Sequence, residues 1–224
     1  MGVRICPVVT CFDDNVISIA NKFKILELRI DLVGRLWVDV ASRIRTDWIA
    51  TCRRRDQGGA WSSSEMDRVN VLVEAVKRGA RFVDIEDSLK NLHELVRVFK
   101  SMGALVIVSH HDFNTTPEFS CMVDIVRREI EVGADIWKIS TTANSFTDCL
   151  NVLRLLKLFR NNPGIALAMG SYGVLSRVLS PLLNGFLTYA SVRRGEESAP
   201  GQLTVDELME IYELIGVKVD RCEN

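Results

Sequence analysis

No long apolar run, no excess of either charge, no paired cysteines and only three histidines characterise this chain of 224 residues. Each shortage removes a class of function. No stretch approaches the roughly 18 consecutive apolar residues of a membrane helix, so no membrane-spanning helix is expected. Lys and Arg total 28 against 29 Asp and Glu, so the chain lacks the one-signed field that nucleic acid or an anionic membrane surface would exploit. A small-molecule partner is expected. The six cysteines (Cys6, Cys11, Cys52, Cys121, Cys149 and Cys222) form no C-x-x-C pair and have no histidine at zinc spacing. They read as reduced thiols, and no metal is expected. "MGVRICPVV" reaches strand-like residues at once without the apolar core and cleavage site of a signal peptide. The expected location is cytoplasmic.

What is present is a repeat. "VKRGARFVDI", "FKSMGALVIV" and "IEVGADIWKI" share one design: a helical pattern stops at Gly79, Gly103 or Gly133, and an apolar strand follows. Glycine suits the left-handed residue that closes a helix. Extending the pattern predicts strands near Val3–Thr10, Ile25–Leu32, Trp48–Cys52, Phe82–Ile85, Ala104–Ser109, Ile136–Ser140, Ile165–Ala168 and Phe186–Ala190. Two helix starts carry capping signals: Thr116 before Pro117, and Thr204 with Glu207 as a capping box. Such alternation over this length predicts an α/β fold, a single-domain (β/α)8 TIM barrel covering residues 1–224. The alternative, an open doubly wound sheet, lacks its G-x-G-x-x-G after the first strand. "SVRRGEESAPGQ", residues 191–202, is the one long loop-like stretch and a lid candidate.

Parallel strands are usually continuous apolar runs, and two here are not. In "ILELRIDL" the charged residues Glu27, Arg29 and Asp31 alternate with apolar ones, so they share one face. In a barrel that face is the interior, where charges at the upper strand ends hold ligands; a half-exposed antiparallel strand would show the same pattern. "ADIWKIST" places Lys138 inside an apolar run. Burial without a partner favours the neutral amine, a nucleophile able to form an imine with a carbonyl. The competing reading is a structural lysine whose head reaches the rim or an acid.

Of the histidines, His93 sits in a helical pattern and reads as surface. His110 and His111 end the fifth strand in "LVIVSHHDF". Adjacent strand residues face opposite ways, so only one can look inward, and alternation alone does not say which. The inward one would neighbour Lys138 and serve as acid or base near neutral pH. A His-His-Asp metal site is disfavoured because consecutive residues rarely converge on one ion. "MGSYG" around Ser171 lacks the first glycine of a nucleophile elbow and reads as a turn.

Together, "ELRID" (27–31), "RRRDQGG" (53–59), "SHHDF" (109–113), "ADIWKIS" (134–140), "MGSYGVLSR" (169–177) and "SAPGQ" (198–202) resemble the type I 3-dehydroquinate dehydratases, Schiff-base enzymes of the shikimate pathway, over almost the whole chain. The resemblance implies a (β/α)8 barrel, usually a homodimer, that converts 3-dehydroquinate to 3-dehydroshikimate without metal or organic cofactor. It implies Lys138 as the imine-forming lysine and His111 as the general base and acid. It also implies Arg177, Gln202 and Ser198 as a clamp on the substrate carboxylate, and Glu27, Arg29 and Arg53 as partners of the ring hydroxyls. One departure stands out: many members carry glutamate where this chain has Gln57, and Glu86 or Asp84 is the expected substitute for orienting the histidine. Two rival functions remain from the residues themselves. A class I aldolase would need a phosphate cradle after strands seven and eight, where "MGSYG" and "SVRRGEE" form no clear nest. A non-catalytic barrel has no use for a lysine in strand six.

Overall fold

The computed structural model describes residues 2–222. Strands and helices alternate: β1 (Ile5–Val9), α1 (Asp14–Ala20), β2 (Ile25–Arg29), α2 (Ile30–Val33), α3 (Trp37–Ala41), β3 (Asp47–Thr51), α4 (Glu65–Lys77), β4 (Phe82–Glu86), α5 (Leu92–Ser101), β5 (Leu105–Asp112), α6 (Phe119–Glu131), β6 (Ile136–Thr142), α7 (Phe146–Leu158), β7 (Gly164–Met169), α8 (Val174–Leu179), β8 (Thr188–Ser191) and α9 (Val205–Leu214). The strands pair in parallel in the order β7-β6-β5-β4-β3-β2-β1-β8. The seam between β7 and β8 has no ladder, but Phe186 N–H donates to the Gly164 carbonyl at 2.7 Å and draws its lower end together. The result is a nearly closed (β/α)8 barrel.

Gly79, Gly103 and Gly133 have φ of 97°, 88° and 97°, so each helix ends in the left-handed residue that only glycine adopts without strain. Their repeat in the sequence therefore predicts the αβ junctions correctly. Thr204 and Glu207 form the expected reciprocal capping box at the start of α9. Two expectations need correction. Thr116 does not cap α6: that helix starts at Phe119 behind Glu118, without a side-chain cap. Its hydroxyl instead donates to the Thr142 carbonyl at 2.9 Å, pinning the loop to the end of β6. Likewise β2 stops at Arg29, and Asp31 turns back to meet the Arg29 guanidinium at 2.8 and 3.0 Å rather than pointing along the strand into the barrel.

Inside the barrel, side chains stack in tiers two residues apart. The lowest is apolar: Ile25, Ile49, Phe82, Ile107, Ile136, Ile165 and Leu187 pack together. Two residues further along the same strands stand Glu27, Thr51, Asp84, Ser109, Lys138, Leu167 and Tyr189, all buried. Polarity begins at this tier. The opposite parity, including Leu26, Leu28, Val83, Ile85, Val106 and Val108, packs outward against the helices.

Candidate active site

The upper tiers open into a cavity lined by all eight residues singled out in the sequence: Glu27, Arg29, Arg53, His111, Lys138, Arg177, Ser198 and Gln202. Chain alternation explains the inward set. Lys138 has the parity of Ile136, and His111 that of Ile107 and Ser109, so both face the interior. His110 faces away and its Nδ1 lies 2.9 Å from Asp87. Register aligns Ser109 with Lys138 and His111 with Ser140, which puts the imidazole one tier above the amine on the neighbouring strand. His93 is exposed on α5.

Lys138 is buried, 5% exposed, yet it has a partner. Its Nζ lies 2.7 Å from Asp84 Oδ2 and 3.3 Å from the Tyr189 hydroxyl, above the Tyr189 ring at 4.5 Å from its centroid. The expectation of an unpartnered amine among apolar neighbours is thus corrected: a carboxylate holds the ammonium. Asp84 in turn accepts from Arg53 Nη2 at 2.7 Å and from Ser109 Oγ at 2.6 Å. Burial opposes its ionisation, but the cations of Arg53 and Lys138 prevail and hold the carboxyl far below the usual range. Charge pairing continues outward without a break. Arg53 meets Glu86 at 3.2 Å, Glu86 meets Arg68 at 2.8 Å, and Arg68 meets Glu65 at 2.7 Å on the outer surface of α4.

His111 has the opposite bias. Burial first, then the nearby charges of Arg53 and Lys138, push its pKa well below the ordinary histidine value. The imidazole is therefore neutral near pH 7 and able to accept a proton. Its ring stacks on Phe113 with centroids 6.0 Å apart, and its Nδ1 is buried without a hydrogen-bond partner among the described residues. Neither proposed substitute for the family glutamate reaches it. Asp84 is committed to Arg53, Ser109 and Lys138, and Glu86 lies between two guanidinium groups. Gln57 does line the cavity.

Another wall carries a buried cation without a carboxylate partner among the described residues. Arg177, from α8, is 2% exposed, and its one side-chain hydrogen bond among the described residues is from Nη2 to the Pro200 carbonyl at 3.2 Å. Its Nε is buried and unpaired, and burial alone lowers its pKa to about 10. Beside it, Gln202 Oε1 accepts from the Ser198 amide and hydroxyl at 2.7 and 3.1 Å, which leaves the Gln202 amide group free to donate. Lower down, Glu27 accepts from Thr51 Oγ1 at 2.8 Å.

A model of the type I 3-dehydroquinase family matches residues 9–219. The chain belongs to the type I 3-dehydroquinase family. It is 39% identical over 186 residues to a 3-dehydroquinate dehydratase of Dehalococcoides mccartyi, covering 83% of each chain. To one from Methanococcus maripaludis it is 38% identical over 217 residues, covering 92% of this chain and 98% of the relative. Among solved structures, the type I 3-dehydroquinate dehydratase of Clostridium difficile, crystallised with covalently modified comenic acid, superposes with a TM-score of 0.83 at 25% identity, over 96% of this chain and 92% of that one.

Several residues of this type I 3-dehydroquinase site escape the sequence reading. Asp84 is named from the sequence only as a candidate partner of the histidine; its contact with Lys138 is what is missed, although its parity in "FVDIE" already places it in the barrel interior. Tyr189 looks like one more core aromatic. Glu129, on α6, is buried, and its Oε2 accepts from the Lys138 backbone N–H at 3.1 Å while Oε1 has no partner. Burial raises its pKa well above the ordinary carboxyl value and so favours the protonated form. No sequence signal separates it from the surface acids of α6.

Proposed function

We propose that the chain is a hydro-lyase that dehydrates 3-dehydroquinate to 3-dehydroshikimate through an imine on Lys138. One observation supports this most: a paired lysine and a neutral imidazole face the same cavity as Arg177, a buried guanidinium with no counter-ion among the described residues. A ketone at Lys138 and a carboxylate at Arg177 complete the charge pattern of that cavity.

In this reading the substrate carboxylate sits on Arg177, with Gln202 and Ser198 closing the pole and Glu27, Arg29 and Arg53 meeting ring hydroxyls. The imine withdraws electrons from the adjacent methylene, His111 removes a proton there, and the same imidazolium returns it to the departing hydroxyl. No metal or organic cofactor enters these steps. The whole chain acts as one catalytic domain, with residues 191–202 as the lid. Ser191 itself ends β8, so the moving part begins at Val192. The Gly170 N–H holds the lid at the Pro200 carbonyl, 3.1 Å away. The protein works as a cytoplasmic homodimer that does not engage nucleic acid. The exposed leucines Leu150, Leu158 and Leu183 on and beside α7 offer an apolar face for a second copy, and light scattering after gel filtration reads the state directly.

The test is chemical. Borohydride added with 3-dehydroquinate should leave a stable adduct on Lys138, found by peptide mass mapping. An active protein with unmodified Lys138 would refute the imine. Formation of the conjugated enone, followed by ultraviolet absorbance, tests the overall reaction.

A further inference from the structure

We propose that Asp84 is the counter-ion that keeps the imine on Lys138 protonated through the catalytic cycle; this rests on the imine reading above. An ammonium plus a ketone gives an iminium plus water: two of the three N–H protons leave with the carbonyl oxygen, and the nitrogen carries one positive charge before and after. Only the transient free amine and the carbinolamine are neutral.

The resting ammonium has two partners in the wall, Asp84 at 2.7 Å and Tyr189 at 3.3 Å. Its third proton is free for the cavity. The iminium has one N–H left. The shorter, charged contact retains it, and the contact to Tyr189 is given up. That matters because the electron sink is the protonated imine; a neutral imine withdraws far less strongly from the adjacent carbon. The charged and titratable groups around the nitrogen are Glu27 on β2, Arg53 beyond β3, Asp84 on β4, His111 on β5, Tyr189 on β8, Cys6 on β1 and, behind the strand, Glu129 on α6. Arg53 and a protonated His111 both oppose a cation at Nζ. Asp84 is the carboxylate in contact with it, and Arg53, braced by Glu86 and Arg68, keeps that carboxylate ionised.

The test is Asp84→Asn, read as kcat against pH beside the wild type. Removing an opposite charge in contact should move the alkaline limb down by about one to three pH units, so that kcat falls about 10- to 1,000-fold at a pH above the wild-type limb while acid pH restores much of it. A merely structural Asp84 would depress kcat evenly at all pH values, and a variant profile parallel to wild type overturns the proposal. Should the variant fail to fold, the wild-type covalent complex is sufficient. Its C=N stretch in Raman difference spectra should fall in D2O at pH 9, because the nitrogen carries an exchangeable proton, and a band insensitive to deuterium there overturns the proposal. Failure of the imine itself is distinguishable: no borohydride adduct forms on the wild type at any pH.

Discussion

The guanidinium of Arg177 and the carbonyl of Pro200 lie 3.2 Å apart, and this is the single hydrogen bond the Arg177 side chain makes among the described residues. The contact joins the proposed anion-binding pole to the loop beside it, residues 192–202. A ligand carboxylate at Arg177 would therefore touch both α8 and the proposed lid, which would couple binding to lid position.

Replacing Arg177 by alanine should weaken substrate capture by about 2–5 kcal/mol, as for loss of one partner from a buried charge pair, read as a fall in kcat/KM carried mainly by KM. An unchanged KM would place the carboxylate elsewhere.

His111→Ala should separate the two chemical stages. The borohydride adduct on Lys138 should still form, while turnover falls about 10²- to 10⁴-fold. Because burial, Arg53 and Lys138 hold the imidazole neutral, the wild-type acid limb assigned to this residue should lie well below the ordinary histidine pKa of about 6.5. Lowering the pH from 8 to 6.5 should leave the His111 contribution to kcat/KM unchanged, and a steep loss over that interval would contradict a neutral, buried base.

Gly201 seats the proposed lid for a backbone reason. Its φ is +73°, and a methyl group there would meet the Gly170 carbonyl oxygen at 2.5 Å. Gly201→Ala should cost about 1–3 kcal/mol locally and push the lid off its seat. The expected signature is a raised KM and faster proteolysis at residues 192–203, with the unfolding midpoint little changed.

Glu129 should make stability fall as pH rises. Its folded pKa is raised, so above the ordinary value of about 4.3 the unfolded chain releases a proton that the native state retains, and that difference destabilises the fold. Glu129→Gln keeps an oxygen for the Lys138 N–H and removes this penalty. The variant should be more stable than wild type at pH 7 in urea titrations, and the gap should close towards pH 4. A pH-independent difference would mean that the carboxyl is ionised in the native protein.

Much of the architecture is written in local chemistry. The three Gly-Ala junctions, the period-two charges of "ILELR" and the lysine in "ADIWKIS" each depend on near neighbours. The errors lie where a distant partner outweighs local preference. Thr116 has cap chemistry but bonds to the end of β6, and the strand pattern of residues 25–32 breaks at Arg29, where Asp31 pairs with the guanidinium and also accepts from the Ala60 N–H at 3.0 Å. The expected orienting role of Glu86 fails for the same reason, since Arg53 and Arg68 occupy its carboxylate.

The sequence by itself determined the alternation of eight strands with helices and the inward direction of Lys138, because side-chain parity and helix closure are properties of adjacent residues. Family motifs carried the choice of His111 over His110. Tertiary structure alone decided the state of those groups. Asp84 lies 54 positions from Lys138 and reaches it through barrel curvature and strand register. Burial set among neighbouring charges then biases His111 towards its neutral form and Glu129 towards its protonated one, because a proton's affinity depends on every charge and every lost water around it.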